Sequence, residues 1–121
     1  MIRNILLVAL GGAAGSVCRY LISKMIASSF QWGTFAVNIV GSLLIGLLIG
    51  LGGKGNLSPE MKLLLVTGFC GGFTTFSTFA NESFTMLKAG DALLAALYIG
   101  ISIIIGIMAV WLGLNITESI K

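Results

Sequence analysis

Residues 67–79 read TGFCGGFTTFSTF, and no other part of the chain limits the architecture so narrowly. Glycine costs the most conformational entropy in a helix and threonine is a weak helix former, so the pair Gly71-Gly72 followed by threonines favours local unwinding. The segment lies within the uncharged run 63–81, which is close to the roughly 20 residues that cross a bilayer. We therefore predict a membrane-spanning helix that is broken near its middle.

The charged residues divide the rest of the chain into further uncharged runs, at 4–18, 25–53 and 92–117. The last two are long enough to span a membrane, whereas the first is long enough only if Arg19 lies inside its helix. We predict an all-α integral membrane protein that forms a single transmembrane channel domain over residues 1–121. Its four transmembrane helices are expected at about 2–26, 33–52, 60–87 and 92–115, with the break in the third.

The composition supports this class of protein and excludes others. Hydrophobic residues make up 57% of the chain, charged residues 9%, and the mean hydropathy is +1.07, whereas a soluble domain carries about 25% charged residues. The chain lacks histidine, and Gly53-Lys54-Gly55 lacks the Ser or Thr of a phosphate-binding loop. We therefore expect no enzyme. The basic residues are scattered singly, so we expect no nucleic-acid partner.

The positive charges are divided almost evenly between the two sides of the predicted membrane. One side carries Arg3, Lys54, Lys62 and Lys121, and the other carries Lys24 and Lys88, with Arg19 close by. Cytoplasmic loops normally hold a clear excess of Lys and Arg, which sets the orientation. Two interpretations stay open. The chain inserts in both orientations and forms an antiparallel dimer, or so small a chain has too few charges to reveal a bias.

Three of the predicted helices carry small and polar residues at four-residue spacing, on one helical face. They are Gly11, Gly15 and Arg19; Asn38, Ser42, Gly46 and Gly50; and Tyr98, Ser102 and Gly106. Small residues let membrane helices approach closely and polar groups avoid lipid, so we expect these faces to contact protein. Asn38 has the alternative role of donating to an anion. Arg19 has the alternative of a charge anchored at the membrane surface, about 10 Å away.

Unwinding of the third helix would expose groups that bind ions. Unwound backbone at membrane depth is tolerated only inside protein or beside a polar cavity. Freed carbonyls near Gly71 and Thr74 can hold a cation. Phe76 and Phe79, at i and i+3, present both rings on one side, where their positive edges can face an anion. Ordinary packing is the alternative for these two rings.

Three motifs together carry a family resemblance. They are GGAAG at 11–15 with Arg19-Tyr20, TFAVN at 34–38 with Gly41, and GFCGGFTTFSTF at 68–79. The set closely resembles the Fluc (CrcB) family of fluoride channels over nearly the whole chain. The resemblance implies a passive channel that exports fluoride from the cytoplasm and relieves its toxicity. It also implies an antiparallel dual-topology homodimer in the lipid of the bacterial inner membrane.

The resemblance further implies roles for individual residues. It assigns the fluoride pathway to Asn38, Phe76, Ser77, Thr78, Phe79, Glu82, Tyr98 and Ser102, and the vestibule to Arg19. The two phenylalanines are expected to line the path with their ring edges. Backbone carbonyls of Gly71 and Thr74, from both subunits, are expected to hold a structural sodium ion at the dimer centre.

A small proton-coupled drug exporter is the main alternative, since such exporters also have four short helices. An exporter requires a carboxylate inside the membrane to exchange protons. The first, second and fourth predicted helices contain none, and Glu82 lies toward the end of the third. A non-conducting scaffold subunit is a second alternative, which explains the glycine faces but not the hydroxyls beside a broken helix.

Overall fold

The structure, a computed structural model, describes residues 1–26, 32–53 and 55–119. Within these ranges, four helical segments are long and apolar enough to cross a membrane, as predicted. The third crossing consists of two helices separated by a break. We number the helices α1 (Ile2–Met25), α2 (Trp32–Gly53), α3 (59–73), α4 (Ser77–Lys88) and α5 (Ala92–Ser119).

Helix α5 continues beyond the predicted end at residue 115. Polar side chains in its last turns donate back to main-chain carbonyls: Asn115 Nδ2 to Trp111 at 2.8 Å and Ser119 Oγ to Asn115 at 2.8 Å. These bonds satisfy part of the polarity of both the side chains and the helix end. The polar residues beyond the predicted end are therefore compatible with further helix.

Helix α3 begins as predicted and then departs from α-helical geometry. Ser58 Oγ accepts from the N–H of Met61 at 3.2 Å, and Pro59 occupies the first turn. The chain is α-helical over Pro59–Lys62, π-helical over Leu63–Cys70 and α-helical again over Gly71–Phe73. A π-helix of this length is rare, and such segments are frequent at functional sites.

The predicted break exists and includes Thr74 as expected, but the prediction that the chain unwinds at Gly71-Gly72 is wrong. Gly71 has helical dihedral angles, with φ −62° and ψ −38°, whereas Thr74 is extended, with φ −89° and ψ 160°. The helix therefore ends three residues later, over residues 74–76. Gly72 is needed for packing, since a Cβ there would lie 2.5 Å from the carbonyl oxygen of Gly12.

Helix α1 packs against α3 through glycine, which confirms the predicted small face of α1. A Cβ on Gly11 would overlap the carbonyl oxygen of Leu64, and a Cβ on Gly15 would overlap that of Phe69. Both carbonyls belong to the π-helical segment. The two backbones approach so closely that only glycine fits on the α1 side.

Helices α2 and α5 pack in the same way. A Cβ on Gly46 would overlap the carbonyl oxygen of Val110, and a Cβ on Gly113 would overlap that of Leu43. The predicted small face of α2 therefore contacts protein. On α5, the residue at the closest approach is Gly113, which the sequence pattern did not single out. These two helix pairs hold the break between them.

Candidate functional site

A cavity with several polar side chains in a largely apolar wall lies where the break meets helices α2 and α5. Its volume is about 320 Å³. It is lined by Asn38, Ser42, Ile45, Thr74, Thr75, Phe76, Phe79, Ser102 and Ile103. The structure thus brings together five residues that the sequence assigned to ion binding: Asn38, Thr74, Phe76, Phe79 and Ser102. It adds Ser42 and Thr75 as polar neighbours.

The side chain of Asn38 is bound to the break. Its Nδ2 donates to the carbonyl of Thr75 at 3.1 Å, and its Oδ1 accepts from the N–H of Thr75 at 2.8 Å. One turn further along α2, Ser42 Oγ donates to the main-chain carbonyl of Asn38 at 2.7 Å. Asn38 therefore has a structural partner that the sequence did not predict, and one hydrogen of its NH₂ group remains for another acceptor.

Two helix ends of opposite polarity meet at the break. Helix α3 ends with its carbonyls at Thr74, and α4 begins with its N–H groups at Ser77. A helix N-terminus carries a partial positive charge and favours anions, and a C-terminus carries a partial negative charge and favours cations. Thr75 Oγ1 accepts from the N–H of Thr78 at 3.2 Å and so caps α4.

Arg19 lies at the carbonyl end of α3. Its Nε donates to the carbonyl oxygen of Gly72 at 3.0 Å, and the side chain is partly buried. A cation beside the last carbonyls of a helix is favourable. Arg19 is therefore bound to the helix next to the break, a contact that neither the vestibule assignment nor the surface-anchor alternative predicted.

The two phenylalanines lie close together at the start of α4. Their ring centroids are 6.3 Å apart with an interplanar angle of 52°, and Phe76 is 80% exposed. Phe79 also contacts the ring of Tyr98, at 5.1 Å between centroids. Phe79 therefore lies between the cavity and a group of polar side chains that includes Tyr98.

That group of polar side chains is centred on Glu82. Thr34 Oγ1 donates to one carboxylate oxygen at 2.9 Å, and the hydroxyl of Tyr98 donates to the other at 2.8 Å. The three residues come from α2, α4 and α5, and none of them lines the cavity. Sequence reasoning did not assign a role to Thr34. Its position four residues before Asn38, on the same face of α2, is the signal that was available.

Ser102 points into the protein without a hydrogen-bond partner. Its Oγ is buried, and no partner is found for it among the described residues. A buried hydroxyl without a partner carries a desolvation cost, so such groups in native proteins usually serve a ligand, a water or a functional role. Ser102 lines the cavity together with Asn38, and its hydroxyl can donate a hydrogen bond to an anion there.

Ser77 and Thr78 lie differently from the other predicted pathway residues. Their side chains are exposed on the surface of α4, and neither residue lines the cavity. Asn81 is exposed on the same helix. Helix α4 therefore presents a polar strip outside the cavity, and lipid is an unfavourable neighbour for such groups.

The chain was compared with known protein families and individual proteins. Residues 6–114 match the family model described as CrcB-like protein, Camphor Resistance (CrcB). A protein of Flavobacterium psychrophilum named fluoride-specific ion channel FluC is 46% identical, over 98% of this chain and 99% of its own length. Proteins with the same name from Bacteroides fragilis and Agrobacterium fabrum are 45% and 48% identical, over 97% or more of each chain.

The match covers nearly all of the residues that build the helices and the break. It includes the glycine face of α1 that packs against α3, the glycine face of α2 that packs against α5, the cavity and the group around Glu82. Together with the four apolar helices, the match identifies a multi-pass membrane protein. The chain belongs to the CrcB family.

Proposed function

We propose that this chain is a fluoride-selective passive channel that lets fluoride leave the cytoplasm and so relieves its toxicity. The relatives described above carry the name of a fluoride-specific ion channel. The chain is not an enzyme, because its family is one of ion channels. Among the membranes of a bacterial cell, the inner membrane is the one across which cytoplasmic fluoride must pass, and we propose it as the location.

The observation that carries this proposal is the set of donors around the cavity. Fluoride is small and strongly hydrated, so a pore must replace its water shell with donors at close range. The cavity is lined by Asn38, which keeps one amide hydrogen, by Ser102 with its hydroxyl, and by Phe76 and Phe79, and we propose that the two rings turn their edges toward the ion. Aromatic edges carry partial positive charge and favour an anion over water only weakly, which suits passage more than retention.

Electrostatics favour an anion at this position. The N-terminus of α4 begins beside the cavity and contributes partial positive charge. Arg19 offsets the negative end of α3 at the carbonyl of Gly72. Among the described residues no carboxylate lines the cavity, and each carboxylate oxygen of Glu82 accepts a hydrogen bond from a hydroxyl on the far side of Phe79.

We propose an antiparallel homodimer as the working assembly. The exposed polar strip of Ser77, Thr78 and Asn81 is an unfavourable surface for lipid to cover and favours a protein neighbour. A second copy of the chain supplies one. The nearly even division of positive charge across the membrane allows the two copies to insert in opposite orientations. In this assembly Ser77 and Thr78 join the fluoride pathway through contacts with the second copy.

A structural sodium ion at the dimer centre belongs to the same proposal. In a continuous helix, the carbonyl of Gly71 would accept from the N–H of Thr75, and the carbonyl of Thr74 would accept from the N–H of Thr78. Here the N–H of Thr75 donates to Asn38 Oδ1 instead, and the N–H of Thr78 donates to Thr75 Oγ1. Within the described residues no cluster of acidic, cysteine or histidine side chains can hold a metal ion. Main-chain oxygens therefore fit such a cation, and the second copy is needed to complete the set.

The drug-exporter alternative is not favoured. An exporter needs a carboxylate that couples transport to proton exchange, and Glu82 is the candidate for it among the described residues near the pathway. One oxygen of Glu82 accepts a hydrogen bond from Thr34 and the other accepts one from Tyr98. The family match also opposes it. Substitution of Glu82 separates the two functions, because an exporter loses all proton coupling, whereas a passive channel keeps its ion selectivity.

Fluoride efflux from liposomes tests the proposal. Purified protein is reconstituted into vesicles loaded with potassium fluoride, and a fluoride electrode records release after valinomycin is added. We expect fast release that requires valinomycin, and no release from matched vesicles loaded with chloride. Absence of fluoride release from a well-folded dimer would contradict the proposed function.

A further inference from the structure

Asn38 holds the main chain of the break by two hydrogen bonds that run in opposite directions. Nδ2 donates to the carbonyl of Thr75 at 3.1 Å, and Oδ1 accepts from the N–H of Thr75 at 2.8 Å. Pairs of residues in antiparallel strands exchange N–H···O bonds in the same reciprocal manner. A planar amide bound at both ends restricts the position and the orientation of Thr75 together. We call this pairing the Asn38–Thr75 clasp.

Thr75 cannot obtain these bonds from the helices on either side. Thr74 is extended, so the helical ladder of α3 stops before Thr75. Main-chain N–H and C=O groups without partners are strongly unfavourable at membrane depth. The amide of Asn38 supplies both partners, and the break is thereby stabilised in its extended form.

Thr75 in turn determines where α4 begins. Its Oγ1 accepts from the N–H of Thr78 at 3.2 Å, in the first turn of α4. Phe76 and Phe79 lie on that same turn, with 6.3 Å between their ring centroids. A continuous set of contacts therefore leads from Asn38 through Thr75 to the two rings.

We propose that Asn38 is a positioning residue that acts through Thr75, and that Thr75 is a further residue of the functional machinery. The clasp and the cap together hold the two ring edges at a spacing that admits fluoride and excludes the larger chloride ion. This inference rests on the proposed function and deepens it. It differs from a role for Asn38 as an ion ligand alone, because one Nδ2 hydrogen and the Oδ1 atom are already bound to the main chain.

A double-mutant cycle tests the proposal. We expect Asn38→Ala and Thr75→Val each to lower fluoride efflux by about tenfold, which corresponds to ~1.4 kcal/mol in the barrier, and to admit chloride. The double variant is expected to be no slower than Asn38→Ala alone, because the clasp on the Thr75 main chain and the Thr75 Oγ1 cap are successive links of one series of contacts that ends at the two rings. Thr75→Ser keeps the capping hydroxyl and is the conservative comparison, which is expected to restore most of the efflux and chloride exclusion that Thr75→Val loses.

A different pattern would overturn the proposal. If Asn38 acts only as an ion ligand, the losses of the two single variants multiply in the double variant. In addition, chloride remains excluded, and a high fluoride concentration restores the flux of Asn38→Ala. Equal efflux in Thr75→Val and Thr75→Ser would likewise contradict the role of the cap, and this comparison stands even if the Asn38 variants fail to assemble.

Amide hydrogen exchange separates this proposal from the proposed function. In the unsubstituted protein in detergent, we expect the amides of Thr75 and Thr78 to exchange as slowly as those of α2, although they lie at a helix break. Rapid exchange at Thr75 would overturn the clasp even in a protein that conducts fluoride. Slow exchange in a protein that releases no fluoride would contradict the proposed function and support the clasp.

Discussion

Replacement of Gly11 by alanine is expected to separate α1 from α3. A Cβ on Gly11 would overlap the carbonyl oxygen of Leu64 and lie 2.8 Å from the main-chain nitrogen of Phe69. Both obstacles are backbone, so no side-chain rotation relieves them. Overpacking of this kind costs about 1–3 kcal/mol, and the rigid obstacles place Gly11→Ala toward the upper end. This cost is partly offset, because alanine favours the helix over glycine by up to about 1 kcal/mol.

The neighbouring glycine provides the control for that gain. A Cβ on Gly12 would lie 3.8 Å from the carbonyl oxygen of Gly68, which is ordinary contact. Both substitutions share the propensity gain, so the difference between them measures the overlap alone, about 1–3 kcal/mol. Unfolding in mixed detergent micelles, followed by tryptophan fluorescence, gives this difference. Equal stabilities of Gly11→Ala and Gly12→Ala would refute the close backbone contact between α1 and α3.

The functional residues lead to three further predictions. Phe79→Ile removes an aromatic ring from the cavity wall and is expected to abolish fluoride efflux. Size-exclusion chromatography is expected to show that the dimer stays assembled. Efflux at the original rate would show that this ring has no part in the mechanism. Thr34→Val deletes one donor to the Glu82 carboxylate and is expected to cost about 1–3 kcal/mol of unfolding free energy, and an unchanged value would argue against that bond. Arg19→Lys keeps the charge and is expected to retain more fluoride efflux than Arg19→Leu, and equal losses would show that the charge beside Gly72 is unimportant.

The transmembrane helices were predictable because the membrane imposes a simple length and polarity rule. Uncharged runs of sufficient length marked the crossings, and the expected start of the third crossing at about residue 60 agrees with the start of α3 at Pro59. The exact end of α5 was not predictable, because Asn115 and Ser119 satisfy helix carbonyls with their own side chains. Local polarity does not reveal such bonds.

The existence of the break and the part that Thr74 takes in it were predictable, but the helical geometry of Gly71 and Gly72 was not. Adjacent glycines weaken a helix on average, yet here Gly72 is held in helical geometry by close contact with Gly12 of α1. The break falls instead at Thr74 and Thr75, because Asn38 supplies the hydrogen bonds that the helix no longer provides. Contacts between distant segments therefore outweigh the propensity of the local sequence.

The site residues were predicted by type more successfully than by contact. The four-residue spacing correctly predicted that Asn38 and Ser102 lie on helix faces that contact protein, and both residues line the cavity. The partners of Arg19 and Glu82 could not be derived from spacing, because Arg19 bonds a main-chain carbonyl and Glu82 bonds hydroxyls from two other helices. A single sequence does not state which distant groups meet.

The reversal potential of the reconstituted channel tests the central claim most directly. With a tenfold fluoride gradient across a planar bilayer and equal chloride on both sides, a fluoride-selective passive pathway is expected to reverse near the fluoride equilibrium potential, about 59 mV. A reversal potential near zero, or one that follows an imposed chloride or proton gradient, would contradict a fluoride-selective channel.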